Sequence, residues 1–237
     1  MKFNRNIFFD KVRAKPFNGS LTQQQVDGMN FKLDVWERDH GAEDMRWLAY
    51  ALATSYHETA QKMWPVEENG KGAGHEYGKQ DQETKQTYYG RGDVQMTWRE
   101  NYAKATQKLG LTGADDLEWH AARALDPSIS ARAMYRGMIE GWYRGTSSGR
   151  NTFAKYFNAT TNAPYNAREI INGDKAKVPN WSNGVSIGNL IKGYHTNFLA
   201  ALDAAAIEEP ASEVVTIAIT VPDSVNLHLT VNGKLIS

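Results

Sequence analysis

Two stretches decide the reading of this chain: EDMRWLAYALATSYHET, Glu43 to Thr59, and TYYGRGDVQMTW, Thr87 to Trp98. Between Met45 and Tyr56 the only charge is Arg46. Met45, Leu48, Ala49, Leu52, Ala53 and Tyr56 recur at helical spacing and form one apolar stripe. The opposite side carries Trp47, Tyr50, Ala51 and Thr54, so the helix is neutral all round and is expected to be buried all round. His57 and Glu58 stand at its end, on the Trp47/Tyr50/Thr54 side. A carboxylate at the end of a buried helix is costly unless it faces a cleft or a partner, which makes Glu58 the first functional candidate.

Outward from this core, the chain has 237 residues, enough for one large domain with a small addition. The hydrophobic share is 41%, sufficient for a sizeable core. Eleven tyrosines and seven tryptophans suit both a core and a sugar-stacking cleft. Cysteine is absent, which excludes disulfides, thiolate metal ligands and a cysteine nucleophile. The opening MKFNRNIFFDKVRAK lacks the apolar run of a signal peptide, and no stretch approaches the ~20 apolar residues of a membrane span. If the target lies beyond the cytoplasm, delivery is expected to depend on another factor. Net charge is zero, but Asp203 to Ser237 holds five acids and one base, leaving the remainder at +4. A mildly basic body without a basic stripe suits an anionic polymer better than nucleic acid.

Asn4 to Lys15 reads as a short helix with Ile7, Phe8 and Val12 inward. Thr22 and Gln25 fit a capping box, opening a helix that carries Val26, Met29, Phe31, Leu33 and Trp36 and ends at His40-Gly41. Pro65 breaks the chain after the buried helix, and Asn69 to Gln82 reads as an irregular excursion. Tyr88 to Tyr102 turns sharply at Gly90 and Gly92, with a helix from about Trp98 to Leu109. Asp126-Pro127 opens another helix, and Val185 to Ile207 forms the last. After Glu208-Glu209-Pro210 the pattern becomes strict alternation: Val215, Ile217, Ile219 and Val221, a turn at Pro222-Asp223-Ser224, then Val225, Leu227, Leu229 and Val231 before Asn232-Gly233. The expected division is a domain over residues 1–207 and a small β module over 208–237. Two such strands bury little alone, so the module is expected to pair with another chain through residues 214–236 or to dock on its own domain.

Several chemistries fail on spacing. His57-Glu58 lacks the second histidine of a zinc-protease helix, because position 61 is Gln. Gly90-Arg91-Gly92 lacks the Gly-Lys-Ser/Thr ending of a phosphate loop. Arg91-Gly92-Asp93 spells an adhesion tripeptide that recurs by chance. What remains is a set of carboxylates near a glycine-rich aromatic turn: Glu58, Glu67, Glu68 and Glu76. Glycoside hydrolysis needs two carboxyls. Glu58 and the Glu67-Glu68 pair lie on either side of Pro65, so the chain can fold them to face each other.

HET at 57–59, PVEENGKG at 65–72, YYGRGDVQMTWRENY at 88–102 and AREIINGDK at 167–175 together resemble the glycoside hydrolase family 19 pattern. That family joins plant-type chitinases to bacteriophage endolysins, and the similarity spans most of residues 3–203. The resemblance implies a mainly α, lysozyme-like fold with a cleft between two lobes. It implies Glu58 as general acid, Glu68 as general base with Glu67 as the alternative, and Thr97 as the residue that holds the attacking water. Gln95, Asn101 and Asn172 are the implied sugar-amide contacts, with Tyr89 and Arg168 at cleft positions. No metal or other cofactor is implied. Ala60-Gln61 in place of the chitinases' glycine pair, and the missing cysteines, resemble the endolysin branch.

The expected activity is therefore inverting cleavage of peptidoglycan glycan strands between amino sugars, with chitin as the alternative polymer. A non-catalytic wall-binding or virion structural protein is the alternative of another class. Inversion requires room for water, so the two carboxyls should stand ~6.5–9.5 Å apart. The apolar helix around Glu58 is expected to favour its protonated form by desolvation.

Overall fold

The computed structural model describes residues 1–146, 149–207, 229–231 and 234–236. The fold is mainly α, and every strand among the described residues is two or three residues long. The helices are α1 (Arg5–Ala14), α2 (Gln23–Asp39), α3 (Met45–Glu58), α4 (Arg99–Leu109), α5 (Pro127–Glu140), α6 (Phe153–Tyr156) and α7 (Ile187–Ala205). Among these residues no helix is long and apolar enough to cross a membrane.

α3 sits at the centre. Every residue from Leu48 to Tyr56 is at most 2% exposed, as its uniformly neutral surface required. α7 covers it most extensively, while α2 and α5 also touch it. Tyr56 stacks edge-on against Phe17, Phe198 and Tyr194. The helix starts where expected because the Asp44 side chain accepts from the Arg46 amide and occupies one of the donors that a helix leaves free. The Thr22/Gln25 capping box opens α2, and Asp126 with Pro127 opens α5.

Two facing assignments differ from the sequence reading. Ile7 is exposed while Phe9 is buried, because Phe9 and Val12 lie three apart on the face that Phe8 shares. Phe31 is likewise exposed: it lies two residues past Met29, on the far side of α2 from Met29, Leu33 and Trp36, and packs edge-on against the Trp64 ring. α7 begins at Ile187, leaving Val185 exposed.

The apolar interior divides into two clusters. The larger joins α1, α2, α3 and α7. The smaller gathers Tyr88, Met96, Tyr102, Leu109, Leu117 and Ile129 with their neighbours. α5 serves both, with Met134, Tyr135 and Met138 in the first and Ile129 and Ala133 in the second. The chain closes on itself through β1 (Lys2–Phe3), which pairs antiparallel with β6 (Ala206–Ile207). β2 (Val66–Glu67) pairs with β3 (Arg91–Gly92), and β4 (Gly145–Thr146) with β5 (Gly149–Arg150). β7 (Leu229–Val231) and β8 (Lys234–Ile236) form an antiparallel hairpin. The expected strand of Val215 to Val221, and most of the segment expected to self-associate, lie outside the described residues.

A buried ion pair ties the two clusters together. Lys32 of α2 and Asp93, just after β3, are both almost fully buried, with Nζ 2.7 Å from Oδ1. Ser55 of α3 and Ser130 of α5 donate to the two Asp93 oxygens at 2.8 and 2.7 Å, and Lys32 also donates to the Met63 carbonyl at 2.8 Å. Asp93 and Arg91 are thus interior residues, which removes the adhesion tripeptide from consideration.

The same crossing explains Gly28 on α2. A Cβ there would lie 1.9 Å from the Met63 carbonyl oxygen. Elsewhere Gly→Ala inside a helix gains about 1 kcal/mol. Here the sign reverses: Gly28→Ala is expected to destabilise by about 1–3 kcal/mol, as overpacking does. Urea unfolding checks it, and an unchanged or raised midpoint contradicts the close approach.

Candidate active site

Glu58 is the last residue of α3, the helix buried on every side. The exit from the helix is held by Thr59, whose hydroxyl donates to the Ser55 carbonyl at 2.7 Å and accepts from the Met63 amide at 3.0 Å. The Glu58 carboxylate meets Arg168, which comes from the 3-10 turn Asn166–Ile170 and donates from Nη1 to Oε1. Arg168 is itself 3% exposed and donates from Nε and Nη2 to the two oxygens of Asp174, at 2.6 and 3.2 Å. Burial works to lower the Arg168 pKa, but Glu58 and Asp174 outweigh it and raise the guanidinium above its ordinary value. Burial likewise works to raise Asp174, and the Arg168 hydrogen bond and charge outweigh it, holding that carboxyl below its ordinary range. The purely apolar surroundings expected for Glu58 are thus corrected. A guanidinium 110 residues away in sequence is its direct partner.

Glu67 is the last residue of β2 and Glu68 follows it. Successive strand residues point to opposite faces, and the two side chains accordingly have separate partners. Glu67 lies in a cationic, donor-rich corner: Tyr89 Oη donates to Oε1 at 2.6 Å, Lys71 Nζ is 3.1 Å from Oε2, and Arg91 Nε is 3.8 Å from Oε1. The Tyr89 hydrogen bond foremost, together with Lys71 and Arg91, holds the Glu67 carboxyl below its ordinary range.

Glu68 accepts from the Tyr77 hydroxyl at 3.1 Å and from the Gly90 amide at 3.0 Å, while its own amide donates to the Gly90 carbonyl. Gly90 lies close against this corner: a Cβ there would stand 2.9 Å from Gln95 Oε1 and 3.3 Å from Glu68 Cβ. Tyr77 is clamped between rings: His75 stacks on it at 4.9 Å and Trp98 meets it edge-on at 5.2 Å. His75 therefore belongs to this aromatic row, whereas Glu76 is exposed and pairs with Lys79.

The remaining expected residues are distributed as follows. Gln95 lies against Gly90 beside Glu68, its amide nitrogen donating to the Val66 and Gly92 carbonyls at 3.0 and 3.2 Å. Thr97 is half-buried, with its hydroxyl 3.3 Å from the Gln95 carbonyl. Asn101 donates to the Thr97 carbonyl at 2.8 Å and so fastens the first turn of α4. Tyr89 and Arg168, expected to line a cleft, are buried against carboxylates; Tyr89 also carries the Arg91 guanidinium over its ring, 3.6 Å from the centroid. Asn172 is exposed, and its side-chain oxygen accepts from the Gly173 amide.

Three participants escaped the sequence reading. Tyr77 and Asp174 orient other side chains and sit in segments without periodicity. Trp98 is exposed, with a φ of 74° that tryptophan rarely adopts. Among the described residues no cluster of three or more His, Asp and Glu is arranged to hold a metal.

The chain matches no protein-family model and no curated protein. In three dimensions it is similar to a bacterial family 19 chitinase, with a TM-score of 0.52 and 20% identity over 84% of this chain and 94% of that one. Chitinase C from Streptomyces griseus HUT6037 gives a TM-score of 0.48 and 18% identity over 86% and 95% of the two chains. The first likeness identifies the architecture as the mainly α, lysozyme-like fold of family 19 chitinases.

Proposed function

We propose that this chain is a glycoside hydrolase of the endolysin type, cutting peptidoglycan glycan strands between amino sugars by inverting acid–base catalysis. The observation that carries this reading is a pair of carboxylates, Glu58 and Glu68, each anchored by its own donors. Glu58 rests on a buried guanidinium, and Glu68 is held by Tyr77 and the Gly90 amide. Glu58, carrying a proton, would pass it to the departing glycosidic oxygen, and Glu68 would draw a proton from the attacking water. Thr97, one residue from the Trp98 ring that packs on Tyr77, would hold that water.

Glu68 suits the base role better than Glu67. Each carboxylate has both oxygens in contact, but Glu67 faces two cations, Lys71 and Arg91, and is held below its ordinary range, whereas the hydrogen-bond partners of Glu68, Tyr77 and the Gly90 amide, are neutral. A carboxylate stabilised by neighbouring cations is the weaker base.

Chitin is the second reading, favoured by the likeness to a bacterial family 19 chitinase. Reducing-end release from purified peptidoglycan, set beside release from colloidal chitin, separates the two. Faster release from peptidoglycan is expected. The reverse order transfers the assignment to chitin. Binding to walls without release from either polymer replaces the hydrolase with a non-catalytic wall-binding protein.

A further inference from the structure

The chain leaving α3 is bent against α2 by specific contacts. Met63 has a φ of 54°, a left-handed conformation that side chains rarely adopt. Lys32 Nζ donates to the Met63 carbonyl at 2.8 Å, and the Gln25 side-chain amide donates to the Gln61 carbonyl at 3.0 Å. The bend keeps the Met63 side chain in the larger core and lays Trp64, half-buried, along α2 beside Gly28. There its ring meets Phe31 edge-on, with centres 5.9 Å apart. Phe31 is 42% exposed, on the face of α2 turned from the core.

Asp27, Asn30, Phe31 and Asp34 follow at intervals of three and four, so they form one stripe of α2. With Trp64 they line a cavity of about 280 Å³. The lining is two aromatic rings, one amide and two carboxylates, with neither lysine nor arginine among them. Asp27 accepts from the neutral Gln23 amide at 2.8 Å. Asp34 Oδ1 accepts from Arg5 at 2.7 Å, but that guanidinium also pairs with Glu37, so Asp27, Asp34 and Glu37 outnumber it. The surface is thus locally acidic on a body of opposite net charge. Ring faces and carboxylates share one preference, for a cation, and a cation on an aliphatic stem also lays apolar length along the rings.

We propose that this cavity binds a primary ammonium at the end of an aliphatic chain, carried by the stem peptides of peptidoglycan. The proposal rests on the peptidoglycan reading above. Four residues separate Trp64 from Glu68, so their Cα atoms stand at most ~14 Å apart. A stem peptide of four residues spans about the same distance when extended, which puts the cavity within a peptide's length of the proposed base. Chitin carries no such peptide, so the cavity would sort one polymer from the other.

The test is a titration of the full chain, followed by NMR at the Trp64 indole N–H, with the stem tetrapeptide N-acetyl-L-Ala-γ-D-Gln-L-Lys-D-Ala. The peptide is expected to shift that resonance, and the form acetylated on the lysine ammonium to leave it in place. Phe31→Leu keeps an apolar side chain without the ring; it should weaken binding about two- to fivefold, the scale of one exposed cation–ring contact, and Phe31→Trp should restore it. Asp27→Asn should weaken binding and flatten its dependence on salt. On peptidoglycan, Phe31→Leu should raise KM with little change in kcat. Equal shifts from both peptides, or a shift from neither, overturn the site. A larger shift from a glucosamine oligomer than from the tetrapeptide assigns the ammonium to a sugar and overturns the stem-peptide reading. A dimer in light scattering that Phe31→Leu dissociates gives the surface to a second copy of the chain and also overturns it. Cleavage of peptidoglycan without peptide binding removes the site and leaves the hydrolase standing, whereas peptide binding by a chain that cleaves neither polymer removes the hydrolase and leaves the site.

Discussion

Glu58→Gln is expected to lower turnover on peptidoglycan by about 10²–10⁴-fold, the contribution of general acid–base catalysis. Glutamine keeps the size of the side chain and an acceptor for Arg168, but it has no proton to give. The fold should survive, since Asp174 continues to pair with Arg168 through two hydrogen bonds. Reducing-end release and a thermal melt on the same preparation distinguish lost chemistry from lost structure. Retention of more than about a tenth of the native rate would remove Glu58 from the acid role. Glu68→Gln is expected to fall in the same range and to exceed Glu67→Gln, whose carboxylate is made a weaker base by its hydrogen bond from Tyr89 and by Lys71 and Arg91. The opposite order would move the base to Glu67. Loss in neither would dissolve the paired-carboxylate mechanism. Thr97→Ala should cost less than Glu68→Gln, because it only positions water.

The largest loss of stability should come from the buried pair of Lys32 and Asp93. Removing one member leaves an uncompensated charge in the interior, at a cost of about 3–5 kcal/mol. Lys32→Met strands Asp93 with only the two serine hydroxyls. Asp93→Asn strands the ammonium of Lys32 with backbone carbonyls. Either change is a large part of the ~5–15 kcal/mol that holds a typical domain. Urea unfolding of each single variant should show the loss. The double variant should recover much of it, because an apolar residue beside a neutral amide leaves no buried charge. Single variants within about 1 kcal/mol of the native protein would show the pair to be energetically inert. Catalysis should suffer alongside stability, because Asp93 ties Ser55, one turn before Glu58, to the segment that carries Gly90.

The helical core was legible in the sequence because its information is local. A run from Leu48 to Tyr56 without a charge has one compatible environment, and the residues proved buried all round. The Thr22/Gln25 box and the Asp126-Pro127 start were readable for the same reason: a cap is completed within three residues of itself. Of the carboxylates that the pattern from 57 to 102 set near the glycine-rich turn, Glu68 lies against Gly90.

Tertiary structure alone decided which charges meet. Arg168 reaches Glu58 from 110 positions away, and Asp93 finds Lys32 from 61 positions away. No periodicity records such pairings, because they depend on how helices and turns pack after each has formed. The two-residue strands β1 and β6 were invisible for a related reason: each is too short to show alternation, and only their pairing makes them strands. The separation of Glu67 from Glu68 needed the fold as well. Adjacent in sequence and identical in chemistry, they part because Glu67 ends β2 and Glu68 follows it: pairing with β3 sets Arg91 opposite Glu67, which Tyr89 and Lys71 also reach, while Tyr77 and the Gly90 amide go to Glu68.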